Sequence, residues 1–150
     1  MKYFEEVDFI PHIPEDLIDD LQTIETYENI FPDPSYAHTF ANYRAPFELK
    51  RFLKEYFPYD IAVRYQVIKK QLPVHVDVDI KGNKFNYIIT AGGDNVKTRW
   101  WDDVKNPTNV LHEVTAKPRT WHSLKIDVPH DITEISSPRV AVVVRRFDKD

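Results

Sequence analysis

The stretch IAVRYQVIKKQLPVHVDVDI (61–80) holds two short runs rich in β-branched and aromatic residues, parted by a polar segment that ends in proline. This is the pattern of two strands separated by a turn. In the second run Val74, Val76, Val78 and Ile80 alternate with His75, Asp77 and Asp79. Side chains repeat every two residues along a strand, so the valines share one face and the polar trio the other. Working outward, FNYIIT (85–90), VKTRWW (96–101), NVLHEVT (109–115), HSLKIDV (122–128) and RVAVVVRRF (139–147) repeat the strand pattern. KGN (81–83) reads as a hairpin turn, AGGDN (91–95) as another, and SSP (136–138) as a turn folding 131–135 and 139–144 into an antiparallel pair. About seven short strands at this spacing predict an antiparallel sandwich or barrel.

Upstream the pattern changes. Pro14–Thr26 predicts a helix with Leu17, Leu21 and Ile24 on one face, and Pro46–Tyr56 a second with the stripe Phe47, Leu49, Phe52, Leu53 and Tyr56. Asn29–Ser35, with two prolines, reads as a loop. The expectation is a mainly β (α+β) single domain over 1–150. Its helical N-terminal part (1–59) covers one sheet of a β core (60–147).

Composition narrows the chemistry. The chain has 150 residues, no cysteine and six histidines, which excludes disulfides, thiolate zinc sites, iron–sulfur clusters and a cysteine nucleophile. Any metal site must use imidazole and carboxylate. A formal charge of −4 argues against a nucleic-acid partner, although Arg139, Arg145 and Arg146 form a local basic cluster in the sequence. No apolar run approaches the roughly 18 residues that span a bilayer, and the N-terminus lacks the apolar stretch of a signal peptide. A cytoplasmic protein without membrane partners is expected.

His75 and Asp77, two apart on one strand face, can reach a single metal ion, and that donor pair suits iron, manganese or zinc. The same alternation also describes a solvated strand face. A third ligand would come from His112, His122 or His130. Trp100 and Trp101, adjacent on a strand, point to opposite faces.

His75-Val76-Asp77, then His130, then Arg139 nine residues later resembles the H-x-D…H…R signature of the Fe(II)/2-oxoglutarate-dependent oxygenases. The lead-in Leu72-Pro73-Val74, the run Asn86–Ile89 followed by Gly92–Asn95, and Trp121–Leu124 leading to Pro129-His130 add to the likeness, which covers 60–147. The resemblance implies a double-stranded β-helix (a jelly-roll, cupin-like barrel). It implies that His75, Asp77 and His130 hold Fe(II), that 2-oxoglutarate is the cosubstrate and that its far carboxylate pairs with Arg139. Tyr65 and Asn86 are further candidates for cosubstrate contacts. Taking His122 as distal ligand would leave Arg139 17 residues on, a poorer match to the pattern. The implied reaction consumes O2 and hydroxylates a C–H bond of a protein side chain or small molecule, releasing succinate and CO2. The alternatives are a non-oxidative cupin-type metal-binding barrel and an inactive binding module. Substrate choice is expected from 29–44, 91–95 and 102–109, with a partner surface or a homodimer completing so short a chain's site.

Overall fold

The computed structural model describes residues 2–30, 32–36, 38–77 and 83–147. In chain order its elements are β1 (Phe4–Glu6), α1 (Leu21–Ile24), β2 (Phe40–Arg44), α2 (Phe47–Lys54), β3 (Ile61–Ile68), β4 (Leu72–His75), β5 (Lys84–Thr90), β6 (Lys97–Trp101), β7 (Val110–Val114), β8 (Trp121–Leu124), β9 (His130–Thr133) and β10 (Arg139–Arg146). Two antiparallel sheets face each other, ordered β1-β8-β5-β10-β3-β2 and β4-β9-β6-β7. From β3 onward only β6 and β7 follow each other within one sheet; every other step crosses to the opposite sheet.

That winding corrects three turn assignments, the first being AGGDN (91–95), which carries the chain from β5 in the large sheet to β6 in the small one and so is no hairpin turn. The strands flanking 81–83 lie in different sheets, so no hairpin joins them, and Val78–Gly82 are outside the described residues. Ser136–Pro138 does not pair its flanking segments either. β9 bonds to β4 and β6, and β10 to β3 and β5. With both edges of each strand occupied, neither can pair with the other. The crossing is held at Gly92, whose carbonyl accepts the Ser136 and Ser137 N–H groups at 2.8 and 3.0 Å. Gly92 has φ +86°, and a Cβ there would lie 2.8 Å from the Arg139 Cβ and 2.9 Å from the Ser137 carbonyl oxygen. Only glycine meets both conditions.

Strand parity divides the larger sheet. Val63, Tyr65 and Val67 of β3 and Val140, Val142 and Val144 of β10 pack with Ile10, Ile13, Ile24, Leu49 and Leu53 in the main core. The N-terminal segments thus cover the outer face, as expected, and the opposite parity (Arg64, Gln66, Ile68; Arg139, Ala141, Val143, Arg145) faces the barrel interior. β10 is central and buried on both faces, which is why it reads as a continuous valine run.

The N-terminal part departs from the helical expectation. It supplies both edge strands of the large sheet, β1 against β8 and β2 against β3. The expected helix over 14–26 splits into a 3-10 turn (Glu15–Leu17) and α1, with Ile18 extended between them. Asp20 caps α1 through its side chain, accepting the Thr23 N–H at 2.8 Å, and the Asp19 N–H donates to the Tyr65 hydroxyl. Both bonds take backbone donors away from a continuous helix. α2 forms where expected, but Phe47 is 70% exposed and stands outside the buried stripe of Leu49 and Leu53. No helix among the described residues is long and apolar enough to cross a membrane.

Candidate metal centre

β4 and β9 are neighbours in the small sheet, with His75 directly opposite His130. Leu72 stands opposite Ile132, so three residues of β4 are taken up against two of β9. This irregularity resets the simple alternation over 74–80: Leu72 and His75, three apart, both face inward. Asp77 follows β4 and is fixed by its own N–H, which donates to the Ile126 carbonyl at 3.0 Å. Asp79 lies outside the described residues.

The two histidines are held alike. His75 Nδ1 lies 2.7 Å from the Pro73 carbonyl oxygen, and His130 Nδ1 lies 2.7 Å from that of Val128. A carbonyl only accepts, so each Nδ1 carries the proton, and a neutral ring then presents its lone pair on Nε2. Both Nε2 atoms face Asp77, at 3.6 Å from Oδ1 for His75 and 3.7 Å from Oδ2 for His130. Burial first, and the neighbouring His75 second, hold His130 below the usual histidine range and favour its neutral form. Asp77 Oδ2 is buried and has no hydrogen-bond donor. With each Nδ1 turned to a carbonyl, the two Nε2 atoms and a carboxylate oxygen converge, one ligand atom from each residue lying within 4.8 Å of the others. An electron-rich cluster of this kind is completed by a cation, and the 2-His-1-carboxylate donor set fits a divalent transition metal.

Of the expected site residues, His75, Asp77 and His130 come together. His122 does not. It lies on β8, stacked on Phe4 at 4.3 Å, and burial lowers its basicity. His112 is exposed on the edge strand β7, and His12 and His38 are exposed in the N-terminal part. Arg139 faces inward from the opposite sheet, 3% exposed, with no ion-pair partner among the described residues; burial brings it down to about 10. Its charge is felt by Lys84 and His122. Asn86 is also buried on an inward-facing position of β5, and its Oδ1 has no donor.

Tyr65 is not part of this site. It lies on the outer face of β3, in the core beneath the N-terminal segments. Its hydroxyl accepts the Asp19 N–H at 3.1 Å and stands 3.4 Å from the Leu17 carbonyl and from the Asp19 carboxylate. Tyr65→Phe is expected to lower stability by about 0.5–1.5 kcal/mol, the usual net worth of a hydrogen bond. Metal affinity should stay at the wild-type value; a metal titration beside a urea melt checks both.

The adjacent tryptophans divide as alternation requires. Trp100 is fully buried and donates its Nε1–H to the Lys125 carbonyl. Trp101 lies on the outer face, donating to Asp131, which also takes two bonds from Arg99 at 3.0 and 2.6 Å.

A cavity of about 340 Å³ opens beside the centre, walled by His75 and Asp77 on one side and by β2, β3, β5 and β10 on the other. Ile30, Tyr36, Phe40 and Asn42 line it, so the 29–44 segment does border the cavity, whereas 91–95 and 102–109 do not. Arg64, Lys84 and Arg145 line it too. Sequence reading missed Arg64 and Lys84; the signal for Arg64 was its alternation, with Gln66, against Val63, Tyr65 and Val67 in a strand otherwise apolar. The cluster of Arg139, Arg145 and Arg146 is not one surface patch: the first two face inward, and Arg146 lies over the Tyr59 ring at 5.1 Å.

No family model and no curated protein matches the chain. Solved structures do. Vicilin from hazelnut (Corylus avellana) superposes with a TM-score of 0.53 at 7% identity, over 82% of this chain and 32% of its own. A mutant of Bacillus subtilis oxalate decarboxylase OxdC gives 0.51 at 12% identity, over 85% and 29%. Fe(II)-HppE with the alternative substrate (S)-1-HPP gives 0.50 at 12% identity, over 89% and 62%. The fold is a double-stranded β-helix. Its neighbours are cupin jelly-roll proteins, of which HppE carries Fe(II). The chain spans less than two thirds of each neighbour, and at these identities the likeness is one of fold alone. A metal site in the barrel rests on the chain's own His75, Asp77 and His130.

Proposed function

We propose that the protein is an Fe(II)- and 2-oxoglutarate-dependent dioxygenase that hydroxylates a C–H bond of a small molecule or a protein side chain. The balance is substrate R–H plus 2-oxoglutarate plus O2 giving R–OH, succinate and CO2. The observation that carries the reading is the convergence of the two Nε2 lone pairs with a buried, donorless Asp77 oxygen. It is supported by Arg139, a buried guanidinium with no acidic partner among the described residues, facing the same interior.

His75, His130 and Asp77 would hold the iron, which when bound supplies the oxygen activation and two-electron oxidation that the protein's own groups lack. The residues do the rest. The Pro73 and Val128 carbonyls fix both imidazoles in the tautomer that ligates. Asp77 neutralises part of the metal charge. Arg139 offers a planar fork to the far carboxylate of 2-oxoglutarate. Fully buried Trp100, opposite His130 on β6, keeps water from the back of the centre.

Anaerobic addition of Fe(II) and 2-oxoglutarate should give the visible charge-transfer band of the chelate, and His75→Ala should remove it. Admitting O2 should release succinate. A metal-binding protein that shows neither band nor succinate would be a metal-binding barrel of another kind, and the oxygenase reading would fall.

A further inference from the structure

The cavity beside the metal centre carries more positive charge than the centre needs. Arg64 of β3, Lys84 of β5 and Arg145 of β10 line it, against one carboxylate, Asp77. None of the three cations forms an ion pair among the described residues. Arg64 Nη1 donates to the Val63 carbonyl, but its Nε is buried with no acceptor. The three are close enough to repel. Burial is the main cost to the charge on Arg64 and on Lys84; the Arg44 and Arg145 charges add to it at Arg64, and those of Arg145 and Arg139 add to it at Lys84, where Asp77 offsets part. The nearest offset to Arg64 is Glu28, itself paired with Arg44 at 3.3 Å outside the cavity. A chain with a net charge of −4 thus gathers three cations without ion pairs among the described residues in the cavity beside the metal centre. Such an arrangement costs stability and is explained by an anion that it receives.

We infer that Arg64 and Arg145, with Lys84 beside them, form the seat for an oxyacid group of the substrate, a carboxylate or phosphate on a small molecule, whose other end then lies against His75 and Asp77. The cavity volume of about 340 Å³ suits a small ligand, not a folded partner. The inference rests on the metal reading of His75, Asp77 and His130 for the substrate's orientation. The anion seat itself needs no metal, so the two can fail separately. Arg139, deeper and not lining the cavity, is left to the cosubstrate.

Inorganic phosphate and acetate, the two probes for the two oxyacid chemistries, are titrated calorimetrically into the protein. One series is metal-free, and the other is loaded with Mn(II) and 2-oxoglutarate. Saturable binding of at least one probe is expected in both series. With Mn(II), the bound probe's nuclear relaxation should be enhanced, because the seat adjoins the metal. Arg64→Gln and Arg145→Gln should each weaken binding by about tenfold or more, while Lys50→Gln on the far side of the molecule should not. Arg145→Gln should leave Tm unchanged or raise it, since it removes repulsion; a purely structural arginine would lower it. No saturable binding of either probe in the metal-free series, or displacement of the probe by 2-oxoglutarate, would overturn the inference. Failure to bind Mn(II) while the probe still binds would count against the metal reading and leave the anion seat standing.

Discussion

Asp77→Asn is expected to stabilise the metal-free protein and at the same time abolish metal binding. In the metal-free state the Asp77 carboxylate faces two Nε2 lone pairs at 3.6 and 3.7 Å, and its buried Oδ2 has no donor. An amide of the same shape supplies an N–H toward one of those lone pairs and removes a half-buried charge. Satisfying a buried acceptor is worth about 1–3 kcal/mol. For a chain of this size that is a rise of roughly 2–4 °C in Tm per kcal/mol. The effect on metal runs the other way. Loss of a group that only hydrogen-bonds to a ligand lowers metal affinity by about 10–100-fold, so replacing the anionic ligand itself should cost more than about 100-fold. Thermal melts with and without Mn(II) read both signs: the variant melts higher without metal and gains nothing when metal is added. A variant that melts lower without metal would show that the carboxylate is satisfied by the protein itself and that the centre is not built for a cation.

Arg139→Met should show the same inversion for the cosubstrate. The guanidinium is 3% exposed, and burial alone brings it well below the usual arginine range, to about 10. That corresponds to about 3 kcal/mol of disfavoured charge. Methionine keeps most of the apolar stem against Gly92 and removes the charge. The metal-free, ligand-free variant should therefore resist urea as well as the wild type or better, by up to about 3 kcal/mol. Binding of 2-oxoglutarate to the Fe(II) form should fall by about 30-fold or more, since removing one partner of a buried charged pair costs about 2–5 kcal/mol. The chelate band against cosubstrate concentration measures it. An unchanged cosubstrate affinity would assign the far carboxylate to another cation, and Arg64, Lys84 and Arg145 would be the next to test.

Both results turn on groups whose chemistry was legible before any fold was known. His75 and Asp77 could be paired from their spacing of two, whereas His130 and Arg139 entered only through the resemblance to the H-x-D…H…R signature, because spacing along one segment says nothing of a partner about 50 residues away. Tyr65 shows where that logic ends. It stands ten residues before His75 and would share its face on an unbroken strand. The chain turns over 69–71, changes sheet and gains an extra residue between Leu72 and His75, so parity is reset and Tyr65 points to the opposite side of the sheet. The helix expected over 14–26 failed for a similar reason. Its apolar spacing was sound, but the bond from the Asp19 N–H to the Tyr65 hydroxyl and the Asp20 cap belong to tertiary contacts that no local window contains. Phe4–Glu6 and Phe40–Arg44 are strands because β8 and β3 offer them open edges, not because their own sequences demand it.

The sequence by itself determined that this is a mainly β chain and that its metal donors could only be imidazole and carboxylate. These follow from residue type and period, which are properties of short segments. Residue spacing left His112, His122 and His130 open as third donor, and the tertiary structure places His130 opposite His75. It also decided that Arg139 comes from across the barrel and not from a paired neighbour, and that Arg64, Lys84 and Arg145 meet in one cavity. Those are statements about which sheet a strand joins and which face it turns inward. They are set by pairing between segments distant in sequence, where the free energy of closing the barrel outweighs any local preference.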